Sequence, residues 1–411
     1  MESSNRKVFG IGKSLAVGIA GAAVMFGSGA LRAQQLPEKI KLGILEALTG
    51  PAAGGAAQGS LPAYKLAIKE LMDSGGRLAG RPFEVVFADN ASDPTQTTNE
   101  ARRLTTREGI HIALGPNITG LNMAASPIFA QSKVVSIGVA AGSSFTPQVA
   151  PYAFVNFYNS KAYSGAIANY LSETLKVKSV ALLAGDGATD KAVLQDMRTA
   201  LTARGITVTG EQQHETRAAD MTPQLLALRR GNPEILFEQS SVVEDGATML
   251  RNMNEIGWNV PLMSTAAGFL GTFWMRINGP DVFTKNKIYA MTYKAMTACK
   301  NDPLGQTPYA KFVARLKAFD PDNAAKFNFP STAQTYDSTK LLFAAVEATK
   351  SVNGDVLRDW IRKNAAKFPA VSGAMQETNE TSQVLFGVDA IGFIERPDLL
   401  RSDGTLPRAG C

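Results

Sequence analysis

The chain has 411 residues, of which 45% are hydrophobic and 19% charged, so it is long enough for two domains with separate cores and too apolar to be disordered. Its net charge of +6 falls to +3 when residues 1–33 are set aside, which excludes the strongly basic face of a nucleic-acid-binding protein. With only two histidines and two cysteines, a zinc site of the usual spacing is excluded as well, and we expect no metal or cofactor.

Residues 1–33 have the composition of a secretory signal peptide. Arg6, Lys7 and Lys13 precede an apolar, Gly- and Ala-rich run of about 17 residues, and small residues suitable for cleavage end at Ala33. The alternative is a membrane anchor, but the run is shorter than the roughly 20 residues that a span needs. We therefore expect cleavage after Ala33, or after Ala30, and a periplasmic mature protein.

From residue 40 onward, strands and helices alternate. The predicted strands of the first half are "IKLGIL", "FEVVFAD", "IHIALG" and "VVSIG"; the predicted helices are "LPAYKLAIKELMD", "DPTQTTNEARRLTTRE" and "LNMAASPIFAQS". Asp93 is a favourable N-cap for the second helix, and Pro94 is favourable at its first position. Strands that alternate with helices of this length indicate parallel βαβ units.

The same alternation restarts after residues 153–160. Its strands are "SVALLAG", "ITVTGEQQ", "EILFEQ" and "VPLMS", each followed or preceded by a helical stretch. The last third contains helices without intervening strands, "PYAKFVARLKAF", "TAQTYDSTKLLFAAVEATKS" and "DVLRDWIRKNA", which must pack on sheets already formed. The fold class is therefore α/β, with two doubly wound halves and a chain that crosses back to the first half.

Two loops at strand ends are candidates for holding an anion. In open α/β sheets, ligands bind beyond the carboxyl ends of the strands, and a helix N-terminus there adds unpaired N–H groups. "GPNITG" and "VAAGSSFT" both place small residues and hydroxyls at such positions. The alternative is that Thr119, Ser143 and Ser144 only form turns and caps. The loop "EALTGPAAGGAAQGS" is Gly-rich but lacks the Lys and Ser/Thr of a phosphate-binding loop.

Cys299 and Cys411 leave two possibilities open. An exported protein with an even number of cysteines can pair them, but two free thiols are also possible, with one near the chain end.

These motifs together resemble a known family. "IKLGILEALTGP", "LAGRPFEVVFADNASDPTQTTNEARRL", "LGPNITGLNMAASP" and "VVSIGVAAGSSFT" are similar to the type I periplasmic solute-binding proteins of ABC transporters, in the Leu/Ile/Val-binding branch. The resemblance implies two lobes joined by three crossovers, with the ligand captured between them by hinge closure. It places one lobe at residues 34–155 plus about 295–370, and the other at 156–294 plus about 371–411.

The resemblance also implies which residues hold the ligand carboxylate. In the first loop this is Thr119, and in the second it is Ala140, Ala141, Gly142 or Ser143. Asn117, in the first loop, is a further candidate ligand-binding residue.

Several positions depart from the pattern of the amino-acid binders. The acid expected after "VPLMS" is replaced by "TAAG" at 265–268, which includes Ala267, and Phe269 follows as a possible pocket wall. Ser240 and Ser241 stand where an aromatic residue is expected, and Asp190 is a possible substitute partner for an ammonium group. The first loop normally brings a bulky residue to the side-chain pocket, and here it reads "AAGGAA". These departures favour a carboxylate without an α-amino group and with an apolar or aromatic body.

We therefore expect a monomeric solute receptor that captures a small carboxylate and delivers it to an ABC permease in the inner membrane. The alternatives are a branched-chain amino acid or amide binder, and the ligand-sensing lobe of a signalling system. An enzyme is disfavoured because the sequence shows no paired carboxylates, nucleophile elbow or metal cluster.

Overall fold

The computed structural model describes residues 36–140, 145–265, 274, 277–279, 281–379 and 382–411. The predicted signal peptide lies outside these residues. Within this part of the chain, no helix combines the length and apolar character of a membrane span.

The strands come in two groups, one for each sheet, with a short pair in addition. They are β1 Ile40–Glu46, β2 Arg77–Leu78, β3 Arg81–Asp89, β4 Ile112–Leu114, β5 Val135–Gly138, β6 Ala153–Val155, β7 Ser179–Gly185, β8 Thr207–His214, β9 Ile235–Gln239, β10 Leu262–Ser264, β11 Ile288–Tyr293, β12 Thr297–Ala298, β13 Ile391–Ile394 and β14 Leu406–Pro407.

The helices of the described residues lie mostly between consecutive strands. They are α1 Leu61–Asp73, α2 Pro94–Arg103, α3 Thr119–Gln131, α4 Ser160–Asn169, α5 Ala188–Thr202, α6 Thr222–Arg229, α7 Val243–Glu255, α8 Val282–Lys285, α9 Pro308–Phe319, α10 Phe329–Thr349 and α11 Gly354–Asn364. Helix α1 is preceded by a π-helical segment, Ala56–Ser60, and Leu104–Glu108 and Tyr170–Thr174 extend α2 and α4 in the same way.

Each lobe is built on one six-stranded sheet. The amino-terminal lobe has the order β2-β3-β1-β4-β5-β6, and the carboxy-terminal lobe has the order β13-β11-β10-β9-β7-β8. All pairings in these sheets are parallel except those of β2 with β3 and of β13 with β11. This confirms the predicted doubly wound α/β fold.

The central strands are buried on both faces, as expected of parallel sheets covered by helices. All five residues of β9 are buried, and so are six of the seven in β7. The predicted cap of α2 is present, because the Asp93 side chain accepts a hydrogen bond from the backbone N–H of Gln96 at 2.7 Å.

The chain passes between the sheets after β6, after β11 and before β13. The helices that follow β11 return to the first lobe, where α10 packs against α1. Two strands next to these crossovers, β6 and β11, are absent from the strands predicted from the sequence.

The residues after β13 return to the region of β12 and α9. Strand β14 pairs with β12, and the Ser402 carbonyl accepts a hydrogen bond from Lys317 of α9 at 3.1 Å. A disulfide joins Cys411, the last residue, to Cys299, which settles the pairing that the sequence left open. The carboxyl terminus is thus covalently fixed beside the second crossover.

Candidate functional site

A cavity of about 390 Å³ lies between the carboxyl ends of the two sheets. The amino-terminal lobe contributes most of its wall, including Glu46, residues 51–56, Asn117 and Val139. The other lobe contributes Ser241, Val242 and Glu244 from the loop after β9 and the start of α7. A cavity at this place is where open α/β sheets bind ligands.

Small residues form the wall that follows β1. Pro51, Ala52, Gly54, Gly55 and Ala56 line the cavity there without a bulky side chain. This part of the wall therefore leaves space in the cavity.

Glu46 is the buried carboxyl group of the cavity wall. Only 2% of it is exposed, and it ends strand β1. Its Oε2 accepts hydrogen bonds from Asn117 Nδ2 at 2.7 Å and from the Tyr64 hydroxyl at 3.4 Å, and its Oε1 accepts from the backbone N–H of Ala47 at 3.0 Å. Burial raises the pKa of Glu46 above its ordinary value, although these hydrogen bonds oppose the shift.

Asn117 connects three strand ends. Besides donating to Glu46, its side chain donates to the Tyr64 hydroxyl at 3.0 Å and accepts from the backbone N–H of Val139 at 2.9 Å. The sequence analysis placed Asn117 among the candidate ligand-binding residues, and these contacts show that its amide joins the ends of β4 and β5 to the end of β1.

The loop that carries Asn117 also requires a glycine. Gly115 has φ +74, and a Cβ atom there would lie 2.3 Å from the Leu45 carbonyl oxygen. This close approach of β4 to β1 brings the start of α3 to the cavity, with Ile118 in its wall and half-buried Thr119 as the first helical residue.

The second predicted loop is described only at its start. Val139 lines the cavity and Ala140 is buried. The predicted ligands Ala141, Gly142 and Ser143 lie outside the described residues, as do Ala267 and Phe269 of the other lobe.

Asp190 and Ser240 lie behind the wall of the carboxy-terminal lobe. Asp190 Oδ1 accepts hydrogen bonds from Gln239 Nε2 and Ser241 Oγ, each at 2.8 Å. The Ser240 hydroxyl donates to Asp245 at 2.8 Å and accepts from the backbone N–H of Val242 at 3.0 Å. Both predicted site residues therefore shape the loop after β9, and Ser241 is the one whose side of the loop faces the cavity.

A third acid, Glu238, lies near Asp190 and Asp245. It is buried, and its Oε2 accepts a hydrogen bond from Ser264 Oγ at 2.7 Å. Burial, together with the charges of Asp190 and Asp245, raises the pKa of Glu238 to about 8. Burial also raises the pKa values of Asp190 and Asp245, while nearby His214 lowers both.

Among the described residues, a hydrogen bond joins the two lobes beside the cavity wall. The Arg217 guanidinium donates to the Pro51 carbonyl oxygen at 2.6 Å. The backbone around Arg217 is held by its own lobe, because the Arg217 N–H donates to Asp245 Oδ1 at 2.9 Å and the Thr216 N–H donates to Asp186 Oδ1 at 3.1 Å. This bond requires the two rims to be close together.

The sequence analysis missed Glu46, Tyr64, Arg217 and Glu244. Glu46 was assigned to the loop "EALTGPAAGGAAQGS", although it is the last residue of β1. The argument against an ammonium-bearing solute considered residues 265–268 and Asp190, whereas two other acids, Glu46 and Glu244, line the cavity.

Two doubly wound sheets that face each other across a cavity at their strand ends define the class of type I periplasmic binding proteins. The sequence profile described as "Periplasmic binding protein" matches residues 39–387, so the chain belongs to this family. The match confirms the predicted family; its members bind substrates for transporters, which also confirms that the chain is not an enzyme.

Relatives place the chain near the Leu/Ile/Val-binding branch. Leu/Ile/Val-binding protein homolog 3 of Brucella melitensis is 24% identical over 314 residues, which are 76% of this chain and 78% of the relative. LivJ of Streptococcus pneumoniae, solved with isoleucine, superposes with a TM-score of 0.73 at 17% identity and covers 90% of this chain and 99% of its own. An ABC-transporter solute-binding protein of Rhodopseudomonas palustris, solved with p-hydroxybenzoic acid, gives 0.69 at 18% identity, with 90% and 95% covered.

Proposed function

We propose that the protein is the extracytoplasmic solute-binding component of an ABC importer and that it captures a small carboxylate by closing its two lobes. The cavity between the lobes carries this proposal, because both lobes contribute to its wall. Its volume of about 390 Å³ lies in the range of sites for small ligands. Residues 1–33 act as the cleaved signal peptide, and an inner-membrane permease receives the solute from a monomeric receptor.

The carboxylate binds at the start of α3. The N-terminal end of a helix of this length carries a partial positive charge, which favours an anion there. Thr119 and the loop from Ala140 to Ser143 complete this half of the site, while the small residues 51–56 surround the body of the solute. Two structurally similar proteins were solved with carboxylates, isoleucine and p-hydroxybenzoic acid.

A melting-shift screen with matched compounds tests the ligand class. Leucine and 4-methylpentanoate share one carbon skeleton and differ in the amino group; benzoate and benzamide differ in the carboxylate. We expect benzoate or 4-methylpentanoate to stabilise the protein and benzamide not to, with about 2.7 kcal/mol gained at 100 times the dissociation constant.

Stabilisation by benzamide alone, or by none of the four compounds, would contradict a carboxylate receptor. Stabilisation by leucine but not 4-methylpentanoate supports the branched-chain amino acid alternative. A ligand-sensing protein would use the same cavity. It is distinguished from a transport receptor by its membrane partner: a signalling protein rather than an ABC permease co-purifies with it.

Thr119→Ala is expected to weaken binding of the best carboxylate by about 1–3 kcal/mol, because a charged ligand group loses a hydrogen-bond donor. Calorimetric titration measures the change. Thr105→Ala is the matched control, since the Thr105 hydroxyl donates to the Ala101 carbonyl at 3.0 Å on the extension of α2, outside the cavity wall. Equal affinity in both variants means that Thr119 does not contact the solute.

A further inference from the structure

The carboxyl group of Glu46 lies in the same wall as the proposed anion site. Glu46, Asn117, Ile118 and Val139 all line the cavity, and Asn117 is hydrogen-bonded both to Glu46 and to the backbone of Val139. An anion held by the loops after β4 and β5 would therefore share one cavity wall with the buried carboxyl group of Glu46. The Asn117 side chain is hydrogen-bonded to both parts of that wall.

Glu46 has no ion-pair partner within the described part of the chain; Arg217, at the edge of the cavity, donates to the Pro51 carbonyl oxygen instead. None of the described residues lining the cavity is Lys, Arg or His, and none of the ion pairs between described residues includes Glu46. Its hydrogen-bond donors, the Asn117 amide, the Tyr64 hydroxyl and the Ala47 N–H, are all neutral.

The titratable groups around Glu46 are neutral or acidic. On α1, Tyr64 stays protonated because burial raises its pKa well above the ordinary value. On β3, Asp89 is the register partner of Glu46; burial opposes its ionisation, but hydrogen bonds from Thr49, Ala91 and Leu48 hold its pKa below the usual value. The other lobe presents Glu244 to the same cavity. A bound carboxylate thus adds another negative charge to an acidic environment.

Two carboxylates that share a poorly hydrated site do not both remain ionised, because repulsion and desolvation favour one shared proton. We propose that Glu46 binds a proton when a carboxylate solute enters the cavity, so that the protein captures the solute together with a proton. This inference rests on the proposed function, and it makes Glu46 a residue that couples affinity to pH.

Calorimetric titration in buffers of different ionisation enthalpy counts the protons exchanged on binding. With benzoate and 4-methylpentanoate as probes between pH 6 and 9, we expect net proton uptake. We also expect the affinity to fall by up to about tenfold per pH unit once Glu46 is ionised in the free protein.

Glu46→Gln removes the proton site while keeping a side-chain oxygen that accepts from Asn117. Its binding is expected to be independent of pH, with an affinity at pH 9 at least about tenfold above that of the wild type. Glu38→Gln is the charge-matched control, because it removes an exposed carboxyl from the same lobe and outside the cavity wall; it is expected to retain proton uptake.

The outcomes separate this inference from the proposed function. Carboxylate binding without proton exchange, or with proton release, overturns the role of Glu46 and leaves the receptor function standing. Absence of carboxylate binding refutes the proposed ligand class itself. The number of protons taken up by the wild type tests the role of Glu46 even if the Glu46→Gln variant does not fold.

Discussion

Replacing Cys299 and Cys411 together by serine is expected to lower the free energy of unfolding by about 2–5 kcal/mol. The disulfide joins residues 112 positions apart, and closing a loop of this size removes much conformational freedom from the unfolded chain. Equilibrium unfolding in urea of the oxidised wild type and the double variant measures the difference.

The control for this prediction is chemical reduction. A reductant is expected to destabilise the wild type to the level of the double variant and to leave the double variant unchanged. Equal stability of the oxidised wild type and the double variant would show that the link between the chain end and the second crossover carries no free energy. The disulfide lies away from the residues of the cavity wall, so we expect solute affinity to change little.

Glu238→Gln is expected to stabilise the protein at alkaline pH. The pKa of Glu238 is raised in the folded protein from 4.5 to about 8, so the folded state holds this proton more tightly than the unfolded state. The stability contributed by this group is therefore complete below about pH 4.5 and is lost as the pH rises through about 8. Glutamine keeps an acceptor for Ser264 Oγ and carries no charge.

The stability difference between Glu238→Gln and wild type should be small at pH 5 and reach about 2–5 kcal/mol above pH 8.5, since one pKa unit corresponds to about 1.4 kcal/mol. Urea unfolding across this pH range provides the measurement. Glu215→Gln, which removes an exposed carboxyl of the same lobe, is the control and is expected to give a difference that does not grow with pH. A pH-independent difference for Glu238→Gln would mean that its carboxyl ionises normally.

The regular elements were predictable because their signals are local. The helix predicted from "LPAYKLAIKELMD" is α1, Leu61–Asp73, and the cap at Asp93 depends on one side chain and one backbone N–H nearby. The apolar runs of β7 and β9 show burial on both faces directly in the sequence. Strand β6 was not predictable in this way, because its three residues become a strand only by pairing with β5.

The location of the candidate site was predictable from the sequence, but the contacts of its individual side chains were not. The rule that ligands bind at strand ends located the loops at Thr119 and Ala140, and the described cavity lies beside both. The hydrogen bonds of Asn117 to Glu46 and Val139 were not predictable, because they join the ends of three strands. For the same reason the sequence placed Ser240 and Ser241 at the site together, and only the folded loop after β9 shows that Ser241 lines the cavity while Ser240 binds Asp245.

The hydrogen bond from Arg217 to Pro51 joins a side-chain donor to a main-chain acceptor. Its acceptor is a main-chain oxygen, which every residue type at position 51 supplies, so only the Arg217 end depends on side-chain identity. Neither partner lies among the polar groups proposed to bind the solute. Under the proposed receptor function, substitutions at position 217 are therefore expected to change how long the lobes stay closed while leaving the wall of the cavity unchanged.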